Sequence, residues 1–122
     1  MANKIDLTPA ILDLDLYAGD GEDFQIEFLD GTQEPIDVSN YIWTAQIRKT
    51  RTSDVAADLT IDTTDASTGI ITIHISAEVT RGLPRTNQWD LQCVASGGSD
   101  PRTILQGTVT CTQDVTREVV VP

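Results

Sequence analysis

A single histidine, His74, and two cysteines, Cys93 and Cys111, stand among 122 residues, so few side chains here can drive nucleophilic chemistry. A nucleophile must be activated by a base beside Ser, Cys or Thr. His74 falls in Ile71-Thr72-Ile73-His74-Ile75, an alternating run that puts it on a polar strand face with Thr72 and Ser76. An imidazole there reads as a surface group and not as a shielded base. The Gly-x-Ser-x-Gly elbow, the Walker loop, GxGxxG, HExxH and Cys-x-x-Cys are all absent from the sequence. Gly97-Gly98 sits in Ser96-Gly97-Gly98-Ser99-Asp100, a hairpin loop with no helix after it. That strand reading places Cys93 opposite about Ile104, with Cys111 about seven residues further along. At ~3.4 Å per residue the gap exceeds roughly 20 Å, too far for a disulfide, and both cysteines read as small buried apolar residues.

Acids are the abundant chemical resource. Asp13, Asp15, Asp20, Glu22 and Asp23 crowd one segment, and hard oxygens in loops can bind calcium. Their spacing does not match an EF-hand loop. Asp13 and Asp15 point to one strand face while the others lie in a turn, so the segment reads as a solvated acidic face. An acidic pair for glycoside hydrolysis needs a cleft and a matched separation, and among so many acids such pairs arise by chance. Trp43 and Trp89 could form a sugar-stacking platform. Both fall on the apolar face of their alternating strands, which favours core packing. No catalytic, cofactor-binding or metal-binding residue is assigned, no cofactor is expected, and the chain is read as a non-enzyme.

These residues must be carried by strands. Leu12, Leu14 and Leu16 alternate with Asp13 and Asp15, and Phe24, Ile26 and Phe28 alternate with Gln25 and Glu27. Asp30-Gly31 signals a turn, and a short extended piece, Pro35 to Val38, follows. In Tyr41 to Arg48, Trp43, Ala45 and Ile47 share one face. A weaker strand is predicted over Val55 to Ile61, and Gly69 closes the polar turn after it, available for positive φ. Ser76 to Pro84 reads as one helical turn, with Ser76 as its cap, Val79 and Leu83 inward, and Gly82 and Pro84 as its stop. Asn87 to Ala95 and Thr103 to Cys111 form a final hairpin. Short strands at this spacing, with no crossover helices, predict an all-β, Ig-like antiparallel β-sandwich of about seven strands with one short helical turn. The domain spans residues 11–112, between an N-terminal arm (1–10) and a C-terminal tail (113–122).

The totals exclude several partners. Nineteen acids against eight bases give a net charge of −11. Nucleic acid binding needs a basic footprint, and the only basic cluster is Arg48, Lys49 and Arg51. The same charge argues against an anionic membrane surface and favours partners with basic patches. Ile11 to Leu16 is interrupted by two Asp and cannot serve as a signal sequence or a membrane helix, so synthesis in a cytoplasm is expected.

The ordered series of these segments resembles a family from tailed bacteriophages. Leu14-Asp15-Leu16-Tyr17-Ala18-Gly19-Asp20-Gly21-Glu22-Asp23-Phe24, Pro35-Ile36-Asp37-Val38-Ser39-Asn40-Tyr41, Trp43-Thr44-Ala45-Gln46-Ile47-Arg48, Ala66 to Ile73, Ser76 to Thr80, Trp89-Asp90-Leu91-Gln92 and Leu105 to Val109 carry the likeness. It covers about residues 12 to 112 and is to the small immunoglobulin-like domain related to the N-terminal part of phage baseplate upper proteins. Asp114-Val115-Thr116-Arg117 is similar to the ending of small stand-alone proteins of actinobacterial phages. The resemblance implies a virion structural protein assembled in the host cytoplasm, a protein–protein interaction module of the tail, baseplate or head–tail neck, with other virion proteins as partners in a symmetric assembly. Baseplate proteins of this kind usually continue into a fibrous or trimerising region, whereas this sequence stops at Pro122. Capsid decoration on the head is therefore an alternative position. A host-surface carbohydrate-binding module is a further alternative, and it predicts an exposed Trp43 or Trp89. An enzyme would need Asp20, Glu22 and Asp23 around a concave site; their substitution is expected to change stability only slightly.

Overall fold

A computed structural model describes residues 9–50, 52–53 and 55–113. The chain is an all-β sandwich of Ig-like topology. The larger sheet contains β1 (Ala10–Ile11), β2 (Leu14–Tyr17), β4 (Tyr41–Arg48), β5 (Val55–Asp58), β8 (Thr86–Ala95) and β9 (Arg102–Thr112), ordered β1-β9-β8-β4-β5 with β2 also on β9. The smaller sheet is β3 (Glu22–Glu27), β7 (Ile70–Ile75) and β6 (Thr60–Asp62), ordered β3-β7-β6. A 3₁₀ turn (Ala66–Thr68) and a short helix, α1 (Ala77–Arg81), occupy two of the connections.

Alternation decides which side chains meet. Ala45 and Ile47 of β4, Trp89 and Leu91 of β8, and Val109 and Cys111 of β9 face Ile71, Ile73 and Ile75 of β7 across a buried core. β-Branched Ile and Val dominate this layer, as the shortage of aromatics requires. Leu59, Val38, Ala66 and Leu83 close the layer from the connections.

Two features depart from the expected antiparallel sandwich. First, β1 and β2 run parallel to β9 and not antiparallel to a neighbour. Second, the strand expected over Val55 to Ile61 is cut at Leu59. β5 pairs with β4 in the larger sheet, and β6 pairs with β7 in the smaller one. Leu59 is buried at the crossing, where its N–H donates to Ala45 C=O at 2.9 Å. The extended piece Pro35 to Val38 lies outside both sheets, as expected of a non-strand segment. Pro35 forms an isolated bridge with Leu29, and Val38 N–H donates to Ala66 C=O.

The local predictions for the turns hold in detail. Ser76 Oγ accepts from Val79 N–H at 3.2 Å and caps α1, while Leu83 is buried and Val79 packs on the core. Gly69 takes φ +82°, and a Cβ there would lie 2.8 Å from Phe28 O and 2.9 Å from Ile36 O. Cys93 pairs with Arg102, two residues from the expected Ile104, and the register shift between Leu91 and Gln92 accounts for one of those positions. Cys93 and Cys111 are both buried free thiols, at opposite ends of that strand pair. Burial pushes both thiols above their ordinary pKa, with Arg102 partly offsetting this at Cys93. Among the described residues, no helix is long and apolar enough to cross a membrane.

The N-terminal strand is held by a specific device. Trp89 stands opposite Gly107 in the β8–β9 register. The missing side chain at Gly107 lets the Leu12 carbonyl lie where a Cβ would be, at 2.1 Å from its ideal position. The Trp89 indole N–H donates to that carbonyl at 2.8 Å. The next residue, Asp13, accepts from Thr108 N–H at 2.9 Å and Thr108 Oγ1 at 3.1 Å. Its carboxylate stands in for a main-chain acceptor across the gap between β1 and β2. Ala10 pairs with Leu105, so strand pairing starts at the last residue of the expected arm.

Candidate functional site

Two surfaces of the sandwich gather polar side chains, one on each sheet. On the outer face of the larger sheet, the residues that alternate with the core positions of β4 and β8 form a trough of about 550 Å³. Thr44, Gln46 and Arg48 from β4 and Gln88, Asp90 and Gln92 from β8 line it, with Trp89 at its floor. Antiparallel register sets Thr44 against Gln92, Gln46 against Asp90, and Arg48 against Gln88. Most of these groups are already tethered. Gln46 Nε2 donates to Asp58 Oδ1 at 2.8 Å, and Arg48 Nη2 donates to Gln46 Oε1 at 3.1 Å. Arg48 Nη1 also donates to Ser53 C=O. Gln92 Nε2 donates to Asp90 Oδ2 at 3.2 Å. The surface therefore offers ordered amides and a carboxylate to a polar partner through hydrogen bonds. At the loop end of the same face, Ile42 lies opposite Val94, and Ile42 is 58% exposed.

On the outer face of the smaller sheet, Asp23, His74 and Thr60 stand in one row across β3, β7 and β6. Asp23 Oδ1 contacts His74 Nδ1. The row has the residue types of an Asp–His–Thr relay, yet both members of the contact are more than half exposed, 63% for Asp23 and 51% for His74. A working relay keeps its carboxylate buried and adds donors for an oxyanion. Water has free access to this row, so it serves as a surface polar pair. Period-2 spacing put His74 on a polar face; its partner follows from cross-strand register, which a single strand's pattern does not carry.

The acidic segment is dispersed by the fold. Asp13 is committed to Thr108, Asp23 to His74, and Asp15, Asp20 and Glu22 are exposed elsewhere around the turn. Asp13 lies between two strands and not within one, which corrects the expectation that it shares a strand face with Asp15. Among the described residues, no three His, Cys, Asp or Glu side chains are grouped to hold a metal ion.

Neither tryptophan offers an open stacking face. Trp89 is 3% exposed, with Phe24 edge-on at 6.1 Å. Trp43 is half-buried between Phe28, at 5.1 Å, and Tyr41, at 6.2 Å. Of the basic cluster, Arg48 is tied into the trough and Lys49 is exposed, while Arg51 lies outside the described residues. The tail's Asp114 to Pro122 and the arm's Met1 to Thr8 also lie outside them.

No known protein-family description matches the chain, and no curated protein sequence matches it. Among solved structures, similarity is found to a chain from a structural analysis of glycolipid glycan hydrolysis by a family 123 glycoside hydrolase from Clostridium perfringens. The TM-score is 0.39 at 9% identity, covering 87% of this chain and 23% of that one. This chain thus spans less than a quarter of that chain's length. A likeness of that degree assigns no activity, because function resides in sites and not in the sandwich that carries them.

Proposed function

We propose that this chain is a structural protein of a tailed-bacteriophage virion, acting as a protein–protein interaction module of the tail, baseplate or head–tail neck. The observation that carries this reading is the division of labour in the sandwich. The interior is filled mainly by Ile, Leu and Val, the outer faces carry hydrogen-bonding amides, hydroxyls and acids, and among the described residues no strand pairs with the outer edge of the six-residue β3. A rigid scaffold with such an edge and polar faces suits repeated contacts between virion proteins, where many copies make weak contacts effective. The ordered segments resembling the phage immunoglobulin-like domain support the same reading. The chain acts without catalysis, nucleic acid or membrane in this scheme, and its place is the assembled particle.

Capsid decoration is the alternative position within the same class. Quantitative mass spectrometry of purified particles tests both: a dozen or fewer copies per particle places the chain in a connector or baseplate ring, and hundreds place it on the head. Particles that lack the chain refute the proposal.

The trough favours a second reading, a module for host-surface glycans, since aligned Gln and Asp side chains can bind sugar hydroxyls. With both indoles turned inward, such binding would rest on Gln46, Gln88, Asp90 and Gln92. Titration of host glycans, followed through the side-chain amide resonances of the three glutamines, separates the readings: shifts confined to them favour the glycan module.

A further inference from the structure

The segment 28–42 is tied across one end of the sandwich. Ile36 N–H donates to Phe28 C=O at 2.9 Å, Val38 N–H to Ala66 C=O at 2.9 Å and Ser96 N–H to Asn40 C=O at 2.8 Å, so the segment is fastened to both sheets. Leu29, Ile36, Tyr41 and Ile42 are left 38–58% exposed there. Behind them Phe28 meets Trp43 at 5.1 Å and Tyr41 meets Trp43 at 6.2 Å, an aromatic base that the exposed side chains extend. At that base the Trp43 indole N–H is buried with no acceptor among the described residues, a cost in the free chain that a neighbour's acceptor relieves. Acids frame the patch. Asp30, Glu34 and Asp37 are exposed in the segment itself, and Asp62 and Asp65 are exposed in the connection it crosses. Arg102, at the start of β9, is the one base among the described residues at this end. Apolar surface with a polar rim marks a protein contact, and a rim of one sign selects a partner of the other.

We propose that this end of the sandwich docks a different protein, one that presents apolar side chains framed by Lys or Arg. The inference rests on the reading of the domain as an interaction module and names its contacting face. Charge disfavours the occupants closest to hand. At the opposite end, where β4 finishes and α1 lies, Arg48 is spent on Gln46 and Ser53. Lys49, Arg81 and Arg85 share that end with Asp20, Glu22 and Glu78, so a second copy offers a mixed surface and not a basic one. Residues 1–8 hold one Lys and one Asp, and residues 114–122 hold one Arg, one Asp and one Glu. The side chains of neither terminus supply the positive charge that the rim selects.

The probe is a short peptide of alternating Leu and Arg, titrated into the full-length protein and followed through amide and indole resonances. Binding is expected to move Leu29, Ile36, Tyr41, Ile42 and the Trp43 indole N–H, while the trough and the His74 row stay still. A Leu–Glu peptide is expected not to bind, and a Ser–Arg peptide to bind about tenfold more weakly, because each lacks one half of the match. Glu34→Lys combined with Asp65→Lys reverses two exposed rim charges and is expected to weaken the Leu–Arg peptide about tenfold. Should that pair unfold, Ile42→Ser, at a side chain 58% exposed, supplies a second variant with the same expected loss. Absence of Leu–Arg binding, shifts centred on the trough or the His74 row, equal binding of the Leu–Glu peptide, or folded variants that bind as the parent does overturn the inference. A chain found in particles whose 28–42 end ignores the Leu–Arg peptide sinks this inference and leaves the virion reading standing. A chain absent from particles that binds that peptide at this end does the reverse.

Discussion

The Trp89 indole donates a hydrogen bond to the Leu12 carbonyl through the space left by Gly107, and this contact fastens the N-terminal strand to the sandwich. The largest core side chain thereby holds the junction between the two parallel pairings, β1 and β2 with β9. Replacing Trp89 with Phe removes the donor and part of the packing. We expect a loss of about 1–3 kcal/mol in urea unfolding, with faster amide exchange at Leu12 than at Ala45.

Gly107→Ala attacks the same contact from the opposite side. The new Cβ would meet Leu12 O and C and the Asp13 carboxylate, two of these being main-chain atoms that cannot rotate away. We expect about 1–3 kcal/mol of destabilisation, with β1 and β2 displaced while the β8–β4 pairing is kept, readable as local chemical-shift changes. An unchanged melting temperature would show that the crossing at Leu12 is loose.

Gly69→Ala addresses backbone strain. The residue combines a left-handed conformation with close approach to Phe28 O and Ile36 O. A cost of about 1–3 kcal/mol is expected by thermal or urea unfolding. Gly97, also at positive φ but with open space around it, serves as the control and is expected to tolerate Ala with a smaller loss.

Thr80 is fully buried and joins α1 to the turn before β3. Its Oγ1 accepts from Gly19 N–H at 3.0 Å and lies 3.0 Å from the carbonyls of Asp20 and Ala77, to which it can donate. Thr80→Val keeps the shape and strands the Gly19 donor. About 1–3 kcal/mol should be lost, whereas Thr80→Ser is expected to retain most of the stability.

The acid limb of stability has an identifiable source. Asp30, Asp37 and Asp62 each accept from the hydroxyl and N–H of the residue two positions on, Thr32, Ser39 and Thr64. These hydrogen bonds, the hydroxyl's first, hold all three carboxyls below the ordinary value of 3.8. A depressed native pKa means that the stabilisation is present above the unfolded value and is lost as pH falls through the native one. Melting temperature should therefore drop below about pH 3.8, and the triple variant D30N/D37N/D62N, which keeps an acceptor oxygen in each turn, should show a shallower drop than the parent.

The residues explain why some of this was legible beforehand. Ile71, Ile73 and Ile75 alternate with Thr72 and His74, so strand and buried face follow from period 2 alone. Ser76 and Gly69 are punctuation with a local mechanism, and both act as their types dictate. What could not be read is non-local. The parallel pairing of β1 and β2 with β9 depends on residues about 95 positions apart. The switch of sheets at Leu59 leaves alternation intact, so nothing in Val55 to Ile61 marks it. The trough arises only when two polar faces, each an ordinary solvent-facing strand pattern, are brought side by side by the β4–β8 register.

The central claim is that this domain is a component of a virion, and imaging of the particle tests it most directly. If the proposal holds, a reconstruction of tailed-phage particles assembled with the chain labelled at its C-terminus should show two-sheet density beside the label, repeated with the particle's symmetry and touching neighbouring proteins. Complete particles that carry neither the label nor such density would contradict the account.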